Sequence, residues 1–122
     1  MDWGSFRPFL ITILFCWLST ISFAENNIPD SIVTIAKEKP AEKRIMYYSR
    51  KIFDYAHNNP AIAKSLIDSV SHLLQTHSNP DIEIYAFRSI SAYYLHRNQY
   101  DSAFYYVRMA EQLNNKIIEV FS

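Results

Sequence analysis

The chain has 122 residues, with twelve Lys plus Arg against twelve Asp plus Glu, a formal net charge of zero and 16% aromatic residues. That balance gives no long-range pull toward nucleic acid or acidic lipid, and a chain with nine Tyr is too rich in core-forming residues to be disordered. The only glycine is Gly4 and the only cysteine is Cys16. Everything after them lacks the glycine freedom that a phosphate loop, a dinucleotide fingerprint or a nucleophile elbow requires. It also lacks a thiol nucleophile, a thiolate zinc site and an intrachain disulfide. Without glycine, tight positive-φ turns are scarce, which favours helices joined by short Asn/Pro links over β-hairpins.

The chain opens with Arg7 before the apolar run from Phe9 to Ile21. That run is too short for the roughly 20 residues a membrane-spanning helix needs, and it matches the length of a signal-peptide core. Ser22-Phe23-Ala24 follows, with small residues at the −3 and −1 positions of a cleavage site before Glu25. Residues 1–24 are therefore read as a signal peptide, with an uncleaved anchor as the alternative. Phe15 before Cys16 does not fit a lipid-attachment site. Residues 25–44 form a polar lead-in with one short helix over Ile32, Val33, Ile35 and Ala36, ending before Pro40.

Residues 45–122 carry helical periodicity throughout. The first long helix places Ile45, Ser49, Ile52, Phe53 and Ala56 on one face. Asn58-Asn59-Pro60 breaks it, with Asn59 as cap and Pro60 as the first helical residue. Ala63, Leu66, Ile67, Val70, Leu73 and Leu74 line the next helix, which ends at Ser78-Asn79-Pro80. The following helix, about Asp81 to Arg97, is expected to turn Ile84, Phe87, Ile90, Ser91, Tyr94 and Leu95 inward. Asn98-Gln99-Tyr100-Asp101 makes a turn. The last helix is expected to bury Ala103, Phe104, Val107, Ala110 and Leu113. The apolar tail Ile117-Ile118-Glu119-Val120-Phe121 follows.

The stretch Asn98 to Glu111 resembles the second half of a tetratricopeptide repeat, through Tyr100, Ala103, Val107 and Ala110. Phe87, Ile90, Ser91 and Tyr94 are similar to its first half, with Ser91 as the small residue at the helix crossing. An earlier hairpin matches through Ile52, Phe53, Ala56, Ala63, Ile67 and Val70, with Phe53 where the family has a small residue. The spacing between matched positions exceeds the family's 34-residue period, which puts the excess in the linker Thr76 to Asp81. The resemblance implies an all-α fold of antiparallel helical hairpins, about 45–76 and 81–115, stacked as a short α-solenoid. A generic helical bundle is the alternative.

In this family the first helix of each repeat lines a concave groove that holds a peptide. The resemblance carries that role to Tyr47, Arg50, Asp54 and His57 in the first hairpin and to Tyr85, Arg88, Ala92 and His96 in the second. Both show Tyr-x-x-Arg, in which Arg can fork onto a carboxylate and Tyr can stack and donate. The bland reading of these positions is a solvated surface. His72 and His77 lack the spacing of a shared metal, no residues converge as a catalytic set, and Asp81 and Glu83 suit a helix dipole. No enzyme activity, cofactor, metal, nucleic acid or mature-form membrane contact is expected. The expected function is an exported, periplasmic or extracellular scaffold that binds a protein or peptide. A second copy of the chain is a further expected partner, through Ile117, Ile118, Val120 and Phe121. The alternative is the exported repeat region of a bacterial membrane sensor or regulator, a histidine kinase or transcriptional regulator.

Overall fold

A computed structural model describes residues 27–77 and 79–121. The expected signal peptide lies outside the described residues. Within them the fold is all-helical. The helices are α1 (Asp30–Lys37), α2 (Ala41–Ala56), α3 (Pro60–Leu74), α4 (Pro80–His96) and α5 (Tyr100–Phe121). Short links make successive helices antiparallel. α2 packs on α3, α4 packs on α5, and α2 lies directly against α4. The two hairpins therefore stack through their first helices, which run the same way.

The boundaries follow from local chemistry. Asn59 accepts from the Ile62 amide at 3.3 Å and Asn79 from the Asp81 amide at 3.0 Å. Each cap is followed by a proline at the first helical position, where the missing N–H costs nothing. Asp81 and Glu83 sit in the first turn of α4, where the helix dipole favours negative charge. α4 ends at His96, and Asn98, two residues on, takes φ 59°. The Gln99 amide then donates to the Tyr94 carbonyl at 2.9 Å and the Asn98 amide to Leu95 at 3.0 Å. A chain with no glycine after Gly4 has used asparagine, the non-glycine residue that best tolerates this left-handed position, to close the helix.

The core runs from Ile28, Ile32 and Ala36 through Ile45, Ile52, Leu66, Val70 and Ile90 to Tyr93. The lead-in is thus part of the domain. Arg44 fastens it: its Nε donates to the Ala36 carbonyl at 2.9 Å and its Nη2 to the Lys39 carbonyl at 3.1 Å. These carbonyls belong to the end of α1 and the loop after it, where the i+4 helical donor is missing; the Ala36 carbonyl also accepts from the Lys39 amide at 3.1 Å.

Three features differ from the sequence expectation. α2 begins at Ala41, with Pro40 as its cap residue. α4 buries Ile82, Ala86, Ser89, Ile90, Ser91 and Tyr93, while Leu95 is 55% exposed. α5 buries Ala103 and Ala110 but leaves Phe104 67% and Val107 40% exposed. The reason is common to both helices. α4 is covered on two sides, by α2 and by α5, so its buried residues form two stripes and no single face. Small residues carry the close approaches, and the larger Phe104 and Val107 are displaced to the rim.

Buried serines mark these approaches. Ser65, Ser89 and Ser91 donate to carbonyls of their own helices at 3.2, 2.8 and 2.7 Å. Ser49, fully buried on α2, has an Oγ without a hydrogen-bond partner among the described residues. Ser49→Ala is expected to leave stability unchanged or raise it by about 1 kcal/mol, since a lone buried hydroxyl is unfavourable. Arg44→Ala should cost about 1.5–3 kcal/mol, the range for hydrogen bonds from a charged donor. Denaturant melts check both; a neutral Arg44→Ala would separate α1 from the cooperative unit.

Candidate interaction surfaces

The side-by-side placement of α2 and α4 creates a two-helix face. Phe53 of α2 meets Tyr85 of α4 with ring centroids 6.1 Å apart, and His57 meets His96 at 5.3 Å. Both contacts cross the seam at its surface. Arg50 and Arg88 are exposed on either side of it, and neither has an ion pair among the described residues. Asp54 is exposed and pairs with Lys51 at 3.7 Å. Tyr47 is half-buried, with Lys39 and Lys51 ammonium groups 5.5 and 5.6 Å from its ring centroid. Ala92 is half-buried.

Of the eight groove candidates, Tyr85 therefore meets Phe53 of α2, and His57 and His96 meet each other. Tyr47 and Asp54 are engaged by lysines of their own side of the molecule. Arg50 and Arg88 have no ion-pair partner among the described residues. Phe53 was legible only as an oversized crossing residue. At 43% exposure it instead belongs to the face, and Ser49 is the small residue within the packing.

A second surface is an open groove of about 530 Å³ between α3 and α5. α4 contributes Glu83 and Phe87, α3 contributes Leu74, and α5 contributes Tyr106, Met109 and Lys116. None of the eight groove candidates lines it. Its aromatic lining was readable from sequence only as helix packing, and part of it is that: Phe87 and Tyr106 centroids are 5.9 Å apart, and Tyr94 and Tyr106 stack within 5° of parallel at 5.7 Å.

A third surface is the outer edge of the α4–α5 hairpin. Ser91, Leu95, Tyr100, Ala103, Phe104 and Val107 line a shallow apolar hollow there. Beyond it, Ile118 and Val120 of the apolar tail are exposed and Ile117 is half-buried.

Among the described residues, no three of His, Cys, Asp and Glu come close enough together to hold a metal ion. No described helix is long and apolar enough to cross a membrane. No protein-family model, characterised protein or solved structure matches this chain.

Two groups have shifted titrations, Tyr106 in the groove wall and Lys64 on α3. Burial pushes the Tyr106 phenol up, and the neighbouring Tyr94 adds to this while Lys64 opposes it. For Lys64, partial burial works against the ammonium, but Asp68 at 3.4 Å and the phenols of Tyr94 and Tyr93 outweigh it and raise its pKa. Both groups hold their protons more tightly when folded. Their contribution is fully present below the unfolded values, near 10, and is lost as pH rises through the folded ones. Thermal melts should thus show stability falling above about pH 10, with a smaller fall in Tyr106→Phe. An equal fall in the variant would remove Tyr106 from the effect.

Proposed function

We propose that this chain is a non-enzymatic helical interaction module whose α2–α4 face binds an acidic segment of a partner protein. One observation carries the reading. Arg50 and Arg88 occupy equivalent places on two parallel, adjacent helices, exposed and without ion pairs among the described residues. A guanidinium offers a planar fork that suits carboxylates, and two of them on one rigid surface can engage two acidic side chains, or one side chain and a chain-terminal carboxylate. Phe53 and Tyr85 between them supply an apolar body with a hydroxyl.

The resemblance to tetratricopeptide repeats supports the same face, since in that family the first helices of adjacent hairpins line the peptide groove. Export to the periplasm or beyond belongs to this proposal and rests on the signal-like residues 1–24. The same face would serve the alternative placement, in the exported repeat region of a bacterial membrane sensor or regulator.

Binding of fluorescent acidic, neutral and basic peptides of equal length tests the proposal. Acidic peptides should bind best, with affinity falling as salt rises. Arg50→Ala and Arg88→Ala should each weaken binding by roughly tenfold, the value of one charge-assisted hydrogen-bonded contact. Both should melt like the parent, because both side chains are exposed. No preference for acidic peptides, or full binding by the double variant, would overturn the reading.

A further inference from the structure

The outer edge of the α4–α5 hairpin carries large apolar side chains without cover: Leu95 and Tyr100 are each 55% exposed, Phe104 67% and Val107 40%. Apolar side chains gathered in this way on a soluble domain mark a contact surface. Their spacing is specific. Along α5, Tyr100, Phe104, Val107, Glu111, Asn114 and Ile118 alternate steps of four and three, the pattern of a two-helix seam.

We propose that this edge pairs with the same edge of a second copy of the chain, α5 against α5, antiparallel about a two-fold axis. Three observations select this occupant. First, the opposite edge is closed. α1 lies on α2 there, with Ile32 and Ala36 in the core and Arg44 fastening its end. Among the described residues, the exposed large apolar side chains of α1 and α2 are Ile35, Met46 and Phe53, so pairing this edge with its own copy offers the larger apolar contact, which is isologous.

Second, the charges are self-complementary. Asp101 and Arg108 lie one heptad apart on the same flank of the seam, both exposed and without ion pairs among the described residues. Antiparallel two-fold pairing brings like flanks together, so Asp101 approaches the partner's Arg108, and the symmetry makes this pair twice.

Third, the one charge within the strip finds a donor. Setting Phe104 against the partner's Val107 places Tyr100 opposite the partner's Glu111. The Tyr100 hydroxyl, which in the single chain donates to the exposed Asn98 Oδ1 at 3.2 Å, can then donate to that carboxylate. A parallel, in-register pairing would set Glu111 against Glu111.

The surface is separate from Arg50 and Arg88, so dimerisation and peptide binding fail independently. Sedimentation equilibrium of the full chain over a concentration series tests the proposal. The expected result is a reversible monomer–dimer equilibrium that Phe104→Glu shifts to monomer with unchanged circular dichroism. The charge series gives a reading that does not depend on that variant. Asp101→Arg or Arg108→Asp alone should raise the dimer dissociation constant about three- to tenfold, as expected for a rim ion pair made twice. The double variant, Asp101→Arg with Arg108→Asp, should restore it. A monomer at all concentrations, assembly beyond the dimer, a dimer indifferent to Phe104→Glu, or no restoration by the double swap would each overturn the proposal.

Discussion

The contact on which the molecule depends is the close packing of α4 against α2 on one side and α5 on the other. It requires small side chains at the approaches, and the chain supplies Ser49 on α2, Ala86, Ser89 and Ser91 on α4, and Ala103 and Ala110 on α5, all buried. Where these sit, backbones approach and the neighbouring large residues are driven outward. Phe53 is pushed to the α2–α4 face, and Leu95, Phe104 and Val107 to the outer edge. The two surfaces argued to be functional are thus by-products of the packing that makes the fold. One is polar and cationic, the other apolar.

The asymmetry between the two ends has an energetic basis. A domain of this size buries a modest fraction of its surface, and its net stability is a few kcal/mol between large opposing terms. At the N-terminal end, α1 covers the hairpin with Ile28, Ile32 and Ala36, and three carbonyl acceptors take hydrogen bonds from Arg44. At the other end nothing equivalent among the described residues covers α4 and α5. Covering it with a second copy would add apolar burial without new chain entropy, which is how a short helical stack gains stability by association.

How much of this was legible in the sequence depends on whether a feature is local. Asn59-Pro60 and Asn79-Pro80 were readable because a cap and its proline act within one turn. The stripe Ala63, Leu66, Ile67 and Val70 was readable because α3 buries one face. α4 was not, because a helix covered on two sides loses the single stripe that periodicity detects; Ile82, Ala86 and Tyr93 went unseen and Leu95 was turned the wrong way. Arg44 was not, because its acceptors are carbonyls whose position only the folded α1–α2 corner fixes. For the candidate surface, the exposure of Arg50 and Arg88 followed from their helical phase. The meeting of Phe53 with Tyr85 and of His57 with His96 depends on the relative placement of two hairpins, which no local pattern encodes.

The seam between α2 and α4 is the claim beneath both surfaces, and nuclear Overhauser spectroscopy on the ring protons tests it directly. The account predicts cross-peaks between Phe53 and Tyr85 and between His57 and His96, whose ring centroids are 6.1 and 5.3 Å apart. The Phe87–Tyr106 cross-peak, within the α4–α5 hairpin at 5.9 Å, serves as the internal reference. All three together would establish the two hairpins side by side. The reference cross-peak alone, with both seam cross-peaks absent, would mean that the hairpins form but do not stack through α2 and α4, and the shared face would not exist.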